Sequence, residues 1–177
     1  MSGGTERSFS VDNARNIGLC RLCGAPLEHT FVDLGMSPPC ESFVPAAAVN
    51  NMEPYYPLHA FVCSECFLVQ LGEYVAPEEI FEEYAYFSSY SDSWVAHARR
   101  YCELAIERLS LHRDSFVVEI ASNDGYLLQH FLEKDIPILG IEPAINVAKV
   151  AVEKGIPTLT DFFGKALAKQ MVAEGRQ

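Results

Sequence analysis

Apolar and polar residues alternate differently in successive parts of the chain, and the changes divide it into four regions. Residues 1–16 are polar and are expected to form a flexible tail. Residues 17–80 combine short apolar runs with seven of the ten prolines, which predicts a loop-rich domain with few strands. Residues 81–112 are rich in helix formers and predict a helical connector, whereas residues 113–177 show alternating strand and helix patterns.

The helical region repeats apolar residues at the spacing of an α-helix. Ala98 and Cys102 fall on one helix face, for example, and would be buried together. The serine-rich segment 88–93 is predicted to divide the region into two helices, with Asp92 or Ser93 capping the second.

The last region predicts a parallel sheet. Residues 116–120 and 138–141 are short apolar runs suited to buried parallel strands, and residues 158–159 indicate a weaker third strand. Helical patterns occupy residues 126–134, 146–153 and 163–173. This alternation is typical of a doubly wound α/β sheet.

Four of the six cysteines form two C-x-x-C pairs, Cys20 with Cys23 and Cys63 with Cys66. Zinc favours a tetrahedron of thiolates, and two such turns can supply all four sulfurs. A closed four-thiolate site has no open position for a substrate, so the predicted zinc is structural. A redox dithiol is the alternative, but the βαβ context that it requires is missing around these residues.

Three further residues, Cys40, Cys102 and His59, have side chains of the types that bind metals. Cys40 and Cys102 have no neighbouring cysteine and are interpreted as small buried hydrophobic residues. His59 lies four residues before Cys63 and could replace one ligand, although four cysteines are already sufficient.

Composition disfavours several classes of partner. The formal net charge is −11 and no segment concentrates Lys and Arg, so neither nucleic acid nor an anionic membrane surface is expected to bind. The sequence contains no apolar run of about eighteen residues that would span a bilayer. The polar N-terminal segment lacks a secretion signal, and a cytoplasmic location is expected.

The turn after the first predicted parallel strand lies where Rossmann-type folds bind a cofactor. It lacks the G-x-G-x-x-G fingerprint of dinucleotide binding, and Asp124 would repel a phosphate. An acidic turn suits S-adenosylmethionine, which carries a sulfonium and an ammonium group. Glu142 follows at the end of the second strand, where a carboxylate can accept hydrogen bonds from ribose hydroxyls. An ordinary βα turn with a solvated Glu142 is the alternative interpretation.

The combination resembles the family of sugar C-methyltransferases that carry an N-terminal zinc-binding domain and act on nucleotide-linked deoxysugars. The resemblance extends over roughly residues 17–175. It is carried by residues 20–24 (CRLCG), 33–38 (DLGMSP), 56–59 (YPLH), 63–66 (CSEC), 67–70 (FLVQ), 81–86 (FEEYAY), 89–91 (SYS), 119–128 (EIASNDGYLL) and 140–143 (GIEP).

The resemblance implies an α+β zinc-binding domain followed by the N-terminal part of an α/β Rossmann-like class I methyltransferase fold. The implied cofactor is S-adenosylmethionine, and the implied substrate is a nucleotide-linked keto-deoxysugar bound between the domains. The turn would contact the methionine part of the cofactor and Glu142 its ribose. The segment from Tyr84 to Ser91 would line the cofactor or substrate site, with Tyr86 as the best candidate. A core helix face is the alternative for the tyrosines. The implied turn residues are Ala121, Asn123, Asp124 and Gly125.

The chain departs from this family in length, because members are more than twice as long. The sequence is therefore expected to be a truncated, N-terminal portion that is inactive alone, with a sheet edge that a partner chain could cover. No catalytic base is identified, since His97, His112 and His130 are expected to lie at the surface. A non-catalytic zinc-binding interaction module is the main alternative. A fragment of an NAD-dependent oxidoreductase is disfavoured by the missing glycines.

Overall fold

The computed structural model describes residues 18–81 and 84–176 of the chain. The expected flexible tail at residues 1–16 lies outside this part. The chain forms two compact units, Met1–Ala76 and Pro77–Gln177. Within the described residues, none of the helices has the length and apolar content needed to cross a membrane.

The first unit contains an antiparallel sheet, so the prediction of few strands in this region is wrong. Strands β1 (His29–Ser37), β2 (Tyr56–Val62) and β3 (Val69–Leu71) pair in the order β1-β2-β3, and a 3₁₀ turn covers Ala46–Ala48. Strand β1 was not predicted because the register of its pairing with β2 shifts twice along the strand. These irregularities interrupt the regular alternation that identifies a strand.

The second unit contains the expected three-stranded parallel sheet. Its strands are β4 (Val117–Ile120), β5 (Ile138–Ile141) and β6 (Thr158–Leu159), paired in the order β4-β5-β6. Its helices are α1 (Pro77–Phe81), α2 (Asp92–Leu109), α3 (Leu128–Leu132), α4 (Ile145–Glu153) and α5 (Lys165–Ala173), with a 3₁₀ turn at Ser88–Tyr90.

Strand β5 lies at the centre of this sheet and is buried along its whole length. Ile138 packs into a cluster with Phe131 and Ile156, whereas Ile141 packs with Met171 in a second cluster. Adjacent residues of a strand point to opposite faces, so the sheet is covered on both sides, as parallel sheets require.

Helix α2 belongs to the second unit and is not a separate connector. Cys102 is fully buried in the same cluster as Leu128, and Ala98 is buried one turn earlier. The boundary between the units therefore falls at Ala76, before the predicted connector begins.

The residue that caps α2 is Ser91, one position before the two that were predicted. Its side-chain oxygen accepts a hydrogen bond from the backbone N–H of Trp94 at 3.4 Å. Asp92 and Ser93 lie inside the first turn of the helix, where the positive end of the helix dipole stabilises the Asp92 carboxylate.

Gly125 ends the turn that follows β4, and two features of the structure require glycine there. Its φ is +78°, and a Cβ at this position would lie 2.2 Å from Cδ1 of Ile156. Gly155 has a similar φ of +84°, but a Cβ there would meet nothing within 4 Å. Comparing an alanine substitution at each of the two glycines therefore separates the free-energy cost of a left-handed backbone from the cost of overlap in the core.

Replacing Gly125 by alanine is expected to lower the free energy of unfolding of the second unit by roughly 2–4 kcal/mol, because both costs apply. Gly155→Ala is expected to cost only about 1 kcal/mol. Urea unfolding followed by the fluorescence of the single tryptophan, Trp94, measures both values. Equal losses in the two variants would show that close packing of Ile156 does not constrain this turn.

Candidate functional site

The sulfur atoms of the four paired cysteines all lie within 4.8 Å of one another. Cys20 Sγ is 3.5 Å from Cys66 Sγ, and Cys23 Sγ is 3.5 Å from Cys63 Sγ. A tetrahedral zinc ion with Zn–S bonds of about 2.3 Å would separate its sulfur ligands by about 3.8 Å. The arrangement therefore fits a four-thiolate zinc site.

Each C-x-x-C segment is closed by a backbone hydrogen bond that turns both sulfurs to the same side. The N–H of Gly24 donates to the carbonyl of Cys20 at 2.8 Å, and the N–H of Phe67 donates to that of Cys63 at 3.0 Å. Both donors have a left-handed backbone, with φ of +77° at Gly24 and +60° at Phe67. Gly24 adopts this conformation freely, whereas Phe67 is strained.

The local electrostatics favour a thiolate at Cys20. The backbone N–H of Cys23, followed by the side-chain amide of Gln70, lowers the pKa of the Cys20 thiol to about 6 against the effect of burial. Gln70 Nε2 donates to Cys20 Sγ at 3.2 Å, and the N–H of Arg21 holds Gln70 Oε1 at 3.0 Å. Sequence reasoning missed Gln70, because no spacing rule marks an amide 50 residues away from the cysteine that it contacts.

The four sulfurs also repel one another when charged. A hydrogen bond from the backbone of Leu68 lowers the pKa of the Cys66 thiol, but burial and the three neighbouring cysteines together raise it to about 12. Four thiolates at this distance are stable only around a cation, which is the role that a zinc ion would fill.

The remaining candidate ligands lie elsewhere. His59 Nε2 is 2.8 Å from the hydroxyl of Thr30, and the His59 ring stacks on Phe61 with centroids 4.1 Å apart. His59 is not part of the group formed by the four cysteines. Cys102 is buried as expected, but the expectation that Cys40 is buried is wrong, because Cys40 lies in an exposed turn after β1.

Cys63→Ser is expected to abolish tight zinc binding and to unfold the first unit, since a serine hydroxyl is a poor zinc ligand and structural zinc contributes directly to folding. Cys40→Ser is the matched control and is expected to keep one zinc ion per chain. Metal content by atomic emission and thermal unfolding by circular dichroism check both variants. A Cys63→Ser protein with full zinc content and an unchanged transition would contradict the four-cysteine site.

The second unit contains a cavity of about 500 Å³ at the carboxyl ends of β4 and β5. Four of the residues predicted from the sequence line it, namely Tyr86, Ala121, Asn123 and Glu142. Sequence reasoning missed other lining residues that follow β6 or the first turn, namely Tyr126, Asp161, Phe162 and Phe163. The sequence could have indicated them, because they follow predicted parallel strands and ligands bind at the carboxyl ends of such strands.

Glu142 is only 6% exposed, which contradicts the alternative of a solvated side chain. Its Oε2 accepts a hydrogen bond from the N–H of Asn123 at 2.8 Å, and its Oε1 accepts one from the N–H of Ala144 at 2.9 Å. Each carboxylate oxygen can accept a further hydrogen bond, because only one donor is bound to it. The buried carboxylate thus has a fixed orientation at the wall of the cavity.

The turn after β4 has an unusual backbone. Ala121 and Asn123 have left-handed φ values of +58° and +50°. Asn tolerates this conformation, whereas Ala121 is strained by about 1 kcal/mol or more. The N–H of Ala121 donates to the carbonyl of Ile141 at 2.8 Å, and this bond holds the strained turn against the end of β5.

Asp124 and Gly125 do not line the cavity, although both were predicted to contact a cofactor. The Asp124 carboxylate is 2% exposed and lies 3.2 Å from Nζ of Lys154, which neutralises its charge inside the protein. The turn therefore presents less negative charge to a ligand than its sequence indicates. Direct contact of these two residues with a cofactor stays a prediction.

Tyr86 is 47% exposed and its ring borders the cavity. Residues 84–87 lie outside any helix, so the alternative of a core helix face is wrong for Tyr84 and Tyr86. The cavity wall on this side is an extended segment.

The histidines that were expected at the surface differ in their surroundings. His97 and His112 are exposed, whereas His130 is only 4% exposed. It lies on the short helix α3, where Leu128 and Phe131 are buried as well. Neither ring nitrogen of His130 has a hydrogen-bond partner among the described residues. In residues 18–81 and 84–176, no histidine lines the cavity.

Glu119 on β4 is a partly buried acid two residues before Ala121, which lines the cavity. Burial, and to a smaller extent the charge of Glu142, raises the pKa of the Glu119 carboxyl to about 8. Its Oε2 is buried and has no hydrogen-bond partner among the described residues. The raised pKa therefore favours the protonated, uncharged form of this carboxyl at neutral pH.

The raised pKa predicts a pH-dependent stability for the second unit. The folded state keeps the Glu119 proton while the unfolded chain, with a pKa near 4.5, releases it. The stabilisation is complete below pH 4.5 and is lost as the pH rises through about 8. Glu119→Gln removes this dependence, and at pH 9 the variant is expected to be more stable than the wild type by roughly 2–4 kcal/mol.

Urea unfolding at several pH values measures this difference. The control Glu103→Gln, which removes an exposed carboxylate from α2, is expected to follow the wild-type pH profile. A Glu119→Gln variant that is no more stable than the wild type at pH 9 would show that this carboxyl is not held in its neutral form.

Comparison with known proteins agrees with this geometry. Residues 20–81 match the family model described as "putative zinc binding domain". The chain is also 30% identical over 160 residues to C-methyltransferase NovU of Streptomyces niveus, and the alignment covers 90% of the chain. The chain spans 38% of the length of that relative. Both findings confirm the resemblance identified from the sequence motifs.

Proposed function

We propose that the chain belongs to the C-methyltransferases that carry an N-terminal zinc-binding domain and that its second unit binds S-adenosylmethionine for methyl transfer to carbon; the match of residues 20–81 and the 30% identity to a C-methyltransferase support this. The proposed fold of this unit is the first part of a Rossmann-like class I methyltransferase. The four cysteines of the first unit are the proposed ligands of a structural zinc ion.

The observation that carries the proposal is the fixed carboxylate of Glu142 at the cavity. Its two backbone hydrogen bonds come from Asn123 and Ala144, and they leave lone pairs for two neighbouring hydroxyls. A ribose presents such a pair of donors. A cavity of about 500 Å³ also lies within the size range of small-molecule and cofactor sites.

The residues after β6 suit the base of the cofactor. Phe162 and Phe163 offer aromatic surface for a planar adenine, and the carboxylate of Asp161 can accept a hydrogen bond from its amino group. Together with Glu142, these side chains would bind the adenosine part of S-adenosylmethionine.

Aromatic rings also suit the charged part of the cofactor. Tyr84, Tyr86 and Tyr126 border the cavity, and the face of an aromatic ring attracts a cation such as a sulfonium. Because Lys154 neutralises Asp124, these rings account better than the Asp124 carboxylate for a preference for positive charge. Of the three, Tyr86 has the largest exposed surface available for such a contact.

When bound, S-adenosylmethionine supplies an electrophilic methyl group on its sulfonium. Transfer to carbon requires a base that removes a proton from the carbon next to a carbonyl, as in a nucleotide-linked keto-deoxysugar, the proposed substrate. The described residues provide no histidine at the cavity for that step. We expect this chain to bind the cofactor, and the residue that acts as the base is not assigned.

Titration calorimetry with S-adenosylhomocysteine, the demethylated product, tests the proposal. We expect binding by the wild type and weakening of about tenfold or more in Glu142→Gln, because one oxygen that accepts hydrogen bonds is replaced by an NH₂ group. Glu153→Gln, which changes an exposed carboxylate on α4, is the matched control and is expected to bind normally. NADH is expected not to bind. No binding of S-adenosylhomocysteine, or equal binding of NADH, would contradict the proposal.

A further inference from the structure

The segment 84–89, here called the tyrosine strap, forms one wall of the cavity without belonging to the sheet. Its residues Tyr84, Tyr86 and Ser88 line the cavity. The described residues of the strap lie outside the strands, and only its last two residues enter a 3₁₀ turn. Its backbone polar groups are instead bound by side chains of the α/β core.

Asn146, in the first turn of α4, binds the beginning of the strap at both of its polar backbone groups. The N–H of Tyr84 donates to Asn146 Oδ1 at 3.0 Å, and Asn146 Nδ2 donates to the carbonyl of Tyr84 at 2.7 Å. A side-chain amide in this position replaces the neighbouring strand that an extended segment would otherwise pair with.

Asn123 binds the middle of the strap in the same manner. Its Nδ2 donates to the carbonyl of Tyr86 at 3.0 Å, and its Oδ1 accepts from the N–H of Ser88 at 2.8 Å. The backbone N–H of Asn123 is bound in turn by Glu142. One residue therefore connects the strap to the carboxylate proposed to bind ribose.

The end of the strap is held by the partly buried ion pair between Asp124 and Lys154. The N–H of Ser89 lies 3.3 Å from both carboxylate oxygens of Asp124, and Lys154 Nζ donates to Ser89 Oγ at 2.8 Å. This contact explains why Asp124 is turned away from the cavity. Asp124 and Lys154 therefore bind the strap without lining the cavity themselves.

We propose that Asn146 is a positioning residue for the cofactor cavity, because its side-chain amide holds the tyrosine strap as the cavity wall. The inference rests on the proposed function, since it concerns the affinity of the same cavity. If cofactor contacts the strap only when the strap is docked, binding and docking stabilise each other by the same factor. Asn146, which itself does not line the cavity, then sets part of the cofactor affinity.

Two variants of Asn146 separate its hydrogen bonds from its volume. Asn146→Asp keeps the shape but places a carboxylate oxygen against the carbonyl of Tyr84, where the amide donated a hydrogen bond. Asn146→Ala removes both contacts. Asn51→Asp makes the same chemical change at an exposed position in the first unit and is the matched control.

Hydrogen exchange of the full chain, with and without S-adenosylhomocysteine, provides the decisive readout. In the wild type, the N–H groups of Tyr84 and Ser88 are expected to exchange slowly, and more slowly with ligand. In Asn146→Ala, the N–H of Tyr84 is expected to exchange at least tenfold faster and the ligand to bind about tenfold more weakly. In Asn146→Asp, the carboxylate still accepts from the N–H of Tyr84 but repels its carbonyl, so smaller changes in the same direction are expected. The N–H groups of β5 are expected to keep their wild-type protection, and Asn51→Asp is expected to match the wild type throughout.

Unchanged exchange at Tyr84 in Asn146→Ala, or unchanged ligand affinity, would overturn the inference. Faster exchange along β5 as well as in the strap would also overturn it, since Asn146 would then support the whole unit. If the wild type does not bind S-adenosylhomocysteine, the proposed function fails. In that case exchange at Tyr84 in the ligand-free protein alone decides whether Asn146 holds the strap.

Discussion

The carboxylate of Glu142 is the interaction on which the candidate cofactor site depends. Glu142 directly follows β5. Its carboxylate accepts hydrogen bonds from two backbone N–H groups and thereby fixes the left-handed turn after β4. Asn123, held in that turn, binds the strap that carries Tyr86. A buried carboxylate with oriented donors is rigid as well as chemically specific. The strands, the turn and the aromatic wall consequently meet at one side chain.

The first unit depends on a different constraint, the mutual repulsion of four sulfur atoms. Its sheet leaves much apolar surface exposed, including Phe31 and Leu34 on β1, so burial alone gives this unit little stability. A bound zinc ion would offset the repulsion between the thiolates and would join the two C-x-x-C turns. The strained backbone at Phe67 fits this interpretation, because metal binding can offset a local cost of that kind.

Sequence reasoning identified the cysteine cluster, the parallel sheet and Glu142, because fixed spacings and strand ends mark these features directly. It missed β1, whose irregular pairing with β2 leaves no regular alternation to detect. It also missed the ion pair between Asp124 and Lys154, because the two residues lie 30 positions apart. The contact of Asn146 with Tyr84 spans 62 residues. Such pairings between distant side chains follow from the folded backbone and have no local signature.

A crystal structure of the zinc-loaded chain with S-adenosylhomocysteine would test the account most directly. We expect both ribose hydroxyls to lie about 2.6–3.0 Å from the carboxylate oxygens of Glu142, with the tyrosine strap in place and Tyr86 beside the ligand. A ligand bound elsewhere, or a Glu142 carboxylate that keeps only its backbone partners while the ribose lies beyond hydrogen-bond reach, would contradict the account.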